Sequence, residues 1–226
     1  MTCHCEEAAE RPTKQSPDLR AIPDPMSPPD NLTAIRQYLN QSADVLRATA
    51  DTCAEDIAAA VDLLVACYRG GGKVLLCGNG GSAADCQHIA AELMNVLSRD
   101  RPRPALAAIA LTTDTSLLTA IANDFGYEQV FERQVEALGK PGDVLIAIST
   151  SGNSPNVLRA FGRARQQGMK TLLLTGESGG KAAGLADVVL RVPSRDTQHV
   201  QEAHAAIGHI ICGRVERAFL AISEAT

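Results

Sequence analysis

The sequence contains no tryptophan, and aromatic residues make up only 3% of it. The core must therefore be aliphatic and alanine-rich, and aromatic stacking platforms for single-stranded nucleic acid are not expected. Basic residues do not predominate either: 21 Lys and Arg stand against 26 Asp and Glu, a net charge of −5. That balance gives no electrostatic help to DNA or RNA binding, so no nucleic-acid partner is expected. No apolar run approaches the roughly 18 residues that a membrane span needs. The first 20 residues lack the apolar stretch of a secretory signal. No membrane partner is expected. The seven cysteines form no framework, and Cys53, Cys67, Cys77, Cys86 and Cys212 are scattered through apolar patterns. An odd, dispersed set reads as reduced thiols in a cytoplasmic protein.

What is present is organised as a tail and a body. The 226 residues suit one domain of about 190 residues with an extension. Six of the eleven prolines fall within residues 1–30, where no hydrophobic period survives, so this stretch is expected to be extended or disordered. Cys3-His4-Cys5 lies in it, two thiols and an imidazole that read as at most a weak metal grip. The body, residues 31–226, opens with Leu32, Ile35, Leu39, Ala43 and Leu46 at helical spacing. Thr52-Cys53-Ala54-Glu55 has the form of a capping box and marks a second helix, which carries Ile57, Val61, Leu64 and Val65 and stops at Gly70-Gly71-Gly72. An N-terminal helical pair over residues 31–69 is therefore expected, packed on the domain or on a second copy.

Beyond it, short apolar runs alternate with helical segments. Strands are expected at Lys73–Cys77, Ala105–Leu111, Val144–Ser149, Thr171–Thr175 and Val188–Val192. Helices are expected at Ser82–Leu97, Glu128–Leu138, Pro155–Gln167 and about Gln198–Ile222. Near-continuous apolar strands alternating with helices predict an α/β fold, a five-stranded parallel sheet flanked by helices on both faces.

Ligands of such sheets bind at the carboxyl ends of the strands. Three of those ends are rich in glycine and hydroxyls: Cys77-Gly78-Asn79-Gly80-Gly81-Ser82, Ser149-Thr150-Ser151-Gly152-Asn153-Ser154 and Thr175-Gly176-Glu177-Ser178-Gly179-Gly180. Glycines allow close backbone approach, and free amides at a helix start favour an anion. No Gly-Lys-Ser/Thr follows, and Gly78-Asn79-Gly80-Gly81 lacks the dinucleotide spacing. A phosphate on a small molecule fits best. On the helix leaving the first loop, His88 and Glu92 share a face. On the last helix, Gln201 and His209 lie within about 80° of each other, while His204 points away from His209. Two imidazoles, a carboxylate and an amide oxygen make a zinc set with two donors from each helix; the alternative is an exposed i,i+4 pair and an ordinary helix histidine.

These motifs, together with Ala122-Asn123-Asp124-Phe125-Gly126, Leu174-Thr175-Gly176 and Gln201-Glu202-x-His204, resemble those of the sugar isomerase (SIS) fold. Within it the chain is most similar to the phosphoheptose isomerases. The resemblance runs in order over about residues 31–222 and implies a doubly wound fold and a homotetramer with active sites at subunit interfaces. It implies one zinc ion per subunit on His88, Glu92, Gln201 and His209. It places a sugar phosphate on Asn79, Gly80, Gly81, Ser82, Glu92, Asn123, Asp124, Ser149, Thr150, Ser151, Ser154 and Gln201. It gives Glu92 and His209 the catalytic roles in interconverting sedoheptulose 7-phosphate and D-glycero-D-manno-heptose 7-phosphate through an enediol, for heptose precursor synthesis. The stretch from Ala110 to Asp124 also looks like the non-catalytic branch that binds the replication initiator DnaA, and a SIS isomerase of another sugar phosphate is the further alternative. Retention of Glu92 and His209 favours the enzyme. If the second loop holds the phosphate, Ser151→Ala combined with Ser154→Ala should raise the Michaelis constant for the sugar phosphate roughly tenfold or more. Steady-state kinetics check this, and an unchanged constant would move the anion elsewhere.

Overall fold

The structure, a computed structural model, describes residues 28–98 and 103–223. Cys3-His4-Cys5 and the tail up to residue 27 lie outside the described residues. The chain divides into two compact units after Gln37. Of the first unit, residues 28–37 are described; they form the opening turns of helix α1 (Pro28–Arg69) and leave Leu32 and Ile35 exposed. The second unit holds the rest of α1 and all other elements.

Where a helical pair was expected, α1 is one continuous helix of 42 residues. The reason is local. No glycine or proline interrupts the sequence between Asp30 and Arg69. Thr52 does not cap a new helix; its hydroxyl donates back to the Ala48 carbonyl at 2.8 Å, as Thr49 does to Val45 at 2.7 Å. A back-bonded hydroxyl is compatible with a helix interior, so the capping-box pattern is coincidental. The helix ends where Gly71 turns to positive φ.

Strands β1 (Val74–Gly78), β2 (Ala108–Ala110), β3 (Val144–Ile148), β4 (Lys170–Thr175) and β5 (Val188–Arg191) form one sheet in the order β2-β1-β3-β4-β5. Every pairing is parallel. Helices α2 (Gly81–Met94), α3 (Thr115–Phe125), α4 (Glu132–Leu138), α5 (Pro155–Gln166) and α6 (Thr197–Ser223) complete the body. Strand ends match the apolar runs within a residue except at β2, three residues long instead of seven. It pairs only with β1, so Ala105–Ala107 lie outside the strand. Helix α3 falls in a segment to which the sequence pattern assigned no element.

Alternate strand residues face opposite sides, and both sides are buried. Leu76, Ile146 and Leu174 pack with α2, α6 and the later part of α1; Leu75, Leu145 and Leu173 pack with Phe131 and Phe161 on the other face. Double burial is why the strands read as unbroken apolar runs. The chain leaves β1 toward β2 and returns past it to β3, so the loops after β1 and β3 diverge. Such a switch point opens a crevice at the carboxyl edge of the sheet.

The loops along that edge interlock. Gly176 N–H donates to Thr150 O at 3.0 Å and Glu177 N–H to Ser194 O at 3.1 Å. Gly152 has φ 62°, and a Cβ there would stand 2.0 Å from Gly179 O. Gly152→Ala should therefore cost roughly 2–4 kcal/mol, from left-handed strain and overpacking. A lower denaturant midpoint at constant m-value is the expected signature; an unchanged midpoint would show that these loops are free to separate.

Candidate active site

The crevice is built by the first two glycine-rich loops. Asn79 Nδ2 donates to Asn156 Oδ1 at 3.0 Å, and Asn156 Nδ2 donates back to Asn79 Oδ1 at 2.8 Å. Tyr127 Oη donates to the same Asn79 oxygen at 3.1 Å. This amide pair ties the loop after β1 to the first turn of α5, which follows the loop after β3. In that second loop, the Ser149 and Ser154 hydroxyls lie 3.4 Å apart, and Pro155 occupies the start of α5. Thr150 and Ser151 turn toward a hollow of about 400 Å³ walled by Gly176, Ser178, Ser194 and Thr197. Hydroxyls and amides at a helix start suit a phosphate.

Helices α2 and α6 bring the titratable groups together. They lie side by side and run in the same direction, because their contacts advance together along both. A Cβ at Gly81 would meet Gln201 Nε2 at 2.7 Å, and one at Gly208 would meet Ile89 at 3.1 Å. With no side chain at Gly208, α6 approaches α2 closely enough to set His209 beside His88. Their Nε2 atoms are 3.2 Å apart. His88 Nε2 also lies 3.3 Å from Glu92 Oε1. His88, Glu92 and His209 line a small pocket with Asp85, Gly208 and Cys212. Its free volume of about 10 Å³ is room for one water- or ion-sized sphere.

Groups remote in sequence fix the pocket's walls. Arg103 donates to Glu92 O at 2.8 Å and Leu93 O at 2.9 Å, closing the carboxyl end of α2. Its Nε pairs with Glu216 of α6 at 3.3 Å, both side chains almost fully buried. Glu216 also accepts from Leu97 N–H at 2.9 Å. This ion pair clamps the end of α2 that carries Glu92 onto the helix that carries His209. Burial pushes the Cys212 thiol up to about 12, so it is a neutral wall. Burial also raises the Asp85 carboxyl, against the opposing pull of His88. The Asp85 Oδ2 atom is buried and makes no hydrogen bond.

The structure thus gathers His88, Glu92 and His209 in one place and Asn79, Gly80, Gly81, Ser82, Ser149, Thr150, Ser151 and Ser154 along the crevice. Gln201 is placed over Gly81, at the crevice, and does not line the histidine pocket. Among the described residues no group of three or more His, Cys, Asp and Glu is placed so that it could hold a metal ion; His88 is instead the centre of two pairwise contacts. Asn123 and Asp124 are exposed near the end of α3 and bond each other at 2.8 Å, while Tyr127, just beyond, is what reaches Asn79. Asp85, Asn156, Tyr127 and Arg103 escaped the sequence reading. Asp85 was the most legible of them, one turn before His88 on the same helix.

The SIS domain profile matches residues 37–176. The chain is 53% identical to the phosphoheptose isomerase of Roseiflexus sp. (strain RS-1) over 192 residues, which cover 84% of this chain and 96% of that protein. It is 50% identical to the phosphoheptose isomerase of Rhodospirillum rubrum over 184 residues, 81% and 96% of the two chains. Among solved structures, the phosphoheptose isomerase from Francisella tularensis superposes with a TM-score of 0.80 at 40% identity, over 83% of this chain and 98% of that one.

His204 gives a pH test of the helix that presents His209. It is fully buried, and its neutral ring donates from Nε2 to Thr175 O at 3.2 Å. Burial lowers its pKa to about 4. The unfolded histidine titrates near 6.5, so between these values the unfolded chain holds the extra proton. Stability therefore falls as pH drops from about 6.5 through about 4, by up to about 3 kcal/mol. Urea titrations across this range should show that slope in the wild type and a shallower one in His204→Gln. Equal slopes would remove His204 as the cause.

Proposed function

The chain belongs to the SIS-domain family and, within it, to the phosphoheptose isomerases, and we propose that it interconverts sedoheptulose 7-phosphate and D-glycero-D-manno-heptose 7-phosphate. The observation that carries this reading is the pairing of a hydroxyl-lined phosphate crevice with a Glu–His–His group on two packed helices. A sugar-phosphate aldose–ketose isomerisation needs a grip on the phosphate, a base beside the reacting carbons, and acids for the oxygens.

Glu92 is the base. It turns Oε1 toward His88 at 3.3 Å, leaving Oε2 to take the proton from the carbon next to the carbonyl and return it to the neighbouring carbon. His209 serves as acid and base for ring opening and for protonating the enediol oxygens. Ser149, Thr150, Ser151 and Ser154 hold the phosphate, and Asn79, Gly80, Gly81, Ser82 and Gln201 orient the chain of carbons between the two ends. Asn123 and Asp124, exposed at the end of α3, are proposed as further contacts of the sugar phosphate.

A zinc ion is part of the same proposal: His88, Glu92, Gln201 and His209 would hold it. The His88–His209 and His88–Glu92 separations of 3.2 and 3.3 Å support three of these donors sharing one pocket. When bound, the metal supplies polarisation of the carbonyl and hydroxyl oxygens. A homotetramer is likewise proposed. Leu39, Leu46 and Ile210 leave apolar surface exposed on α1 and α6, and His88 and His209 stand at an open edge that a second copy can close. The five described cysteines are buried and unpaired, which supports a reducing, cytoplasmic setting.

The test is an NMR time course of sedoheptulose 7-phosphate in D2O, with the protein chelated and then restored with zinc. The aldose should appear with deuterium at the isomerised carbon, and turnover should stop on chelation. Glu92→Gln should lower kcat at least roughly 100-fold with little change in KM. Normal turnover in that variant would sink the base assignment, and no turnover by the wild type would sink the substrate.

A further inference from the structure

We propose that Tyr127 and Asn156 are positioning residues that lock the Asn79 carboxamide, so that it meets the sugar phosphate as a hydrogen-bond donor only. The inference rests on the isomerase reading above and adds how one contact of that crevice is polarised.

The two ends of an amide are told apart by their hydrogen-bond partners, and here a backbone group decides. Val157 N–H donates to Asn156 Oδ1 at 3.0 Å, and a peptide N–H can only donate. Asn156 is buried, so this contact fixes which end of its amide is oxygen. Its Nδ2 is left facing Asn79 Oδ1 at 2.8 Å, and its oxygen takes Asn79 Nδ2 at 3.0 Å. Asn79 Oδ1 must then accept, and Tyr127 Oη, 3.1 Å away, is its second donor. Both lone pairs of that oxygen are occupied. One N–H of Asn79 Nδ2 closes the ring with Asn156. The other, anti to the carbonyl, points out of the ring and has no acceptor among the described residues. Half-buried Asn79 can therefore offer a ligand one N–H and no lone pair. Its partner is a sugar oxygen with a lone pair to give. Two donors on the amide oxygen also draw charge from the nitrogen, which makes the remaining N–H a stronger donor.

The turn before Tyr127 aims it at this amide. Gly126, at φ 92°, ends α3 and turns the chain into Tyr127–Gln129. A Cβ at Gly126 would meet the Glu128 carboxylate at 2.6 Å. The Tyr127 ring is 58% exposed and adds little to the core. Its hydroxyl contact is with Asn79.

The experiment measures kcat, KM and melting temperature for wild type, Tyr127→Phe, Asn79→Ala and the double variant, as full-length proteins supplied with zinc and sedoheptulose 7-phosphate. Tyr127→Phe keeps the ring and loses the hydroxyl. It should lower kcat/KM roughly 3–10-fold with the melting temperature unchanged. Once Asn79 is alanine, the same change should cause no further loss, because Tyr127 acts through that amide. Equal losses in both backgrounds would overturn the lock, as would full activity in Tyr127→Phe. The amide is also read without substrate. In a 1H–15N spectrum, the Asn79 side-chain signals, identified by their loss in Asn79→Ala, should move in both Tyr127→Phe and Asn156→Ala. Signals unmoved in either variant would remove that residue from the lock, whatever the substrate. No turnover by the wild type would instead overturn the isomerase reading.

Discussion

The close parallel packing of α2 on α6 is the constraint on which the site depends. Gly208 removes the side chain that would hold the helices apart, and Ile89 fills the space against it. The Arg103–Glu216 pair locks the far end, with both charged groups out of water and the guanidinium also closing two carbonyls of α2. A buried pair of this kind contributes little net stability, but removing one partner is costly. Its effect here is geometric. It sets the rotation and depth of α2 against α6, and those two variables place the Glu92 and His88 side chains relative to His209.

The loop edge proposed for the phosphate is organised by a different force. Backbone hydrogen bonds among the loops after β3, β4 and β5, with glycines at their crossing points, make a stiff carboxyl edge. The Asn79–Asn156 amide pair then joins the loop after β1 to it. In the proposed reaction, stiff loops that grip the phosphate at one end and two clamped helices at the other would fix the span that the substrate bridges. Orientation of the reacting carbons follows from that span rather than from any single contact.

Stability and chemistry draw on the site differently. His204 and Asp85 are both polar groups of these two helices with a buried atom left without a partner. His204 meets the difficulty by staying neutral and giving its one proton to Thr175 O. Asp85 Oδ2 has no donor among the described residues.

Much of this was written in local pattern. Apolar runs buried on both faces announced five parallel strands, glycine and hydroxyl clusters announced the loops at the carboxyl edge, and the i,i+4 spacing of His88 and Glu92 announced a shared helix face. These are consequences of period and residue type, which neighbouring residues determine among themselves. The unbroken course of α1 was misread, because a capping-box pattern and a back-bonded threonine look alike until the backbone is seen. Helix α3 was missed. Other features were undecidable along the chain: that Gln201 lies over Gly81, that Arg103 reaches Glu216, that Tyr127 and Asn156 converge on Asn79, and that Asp85 Oδ2 finds no donor. Each is a meeting of residues brought together only when the sheet closes and α6 settles on α2. Satisfaction of a buried polar atom depends on what packs against it from elsewhere, so only the tertiary structure decided it.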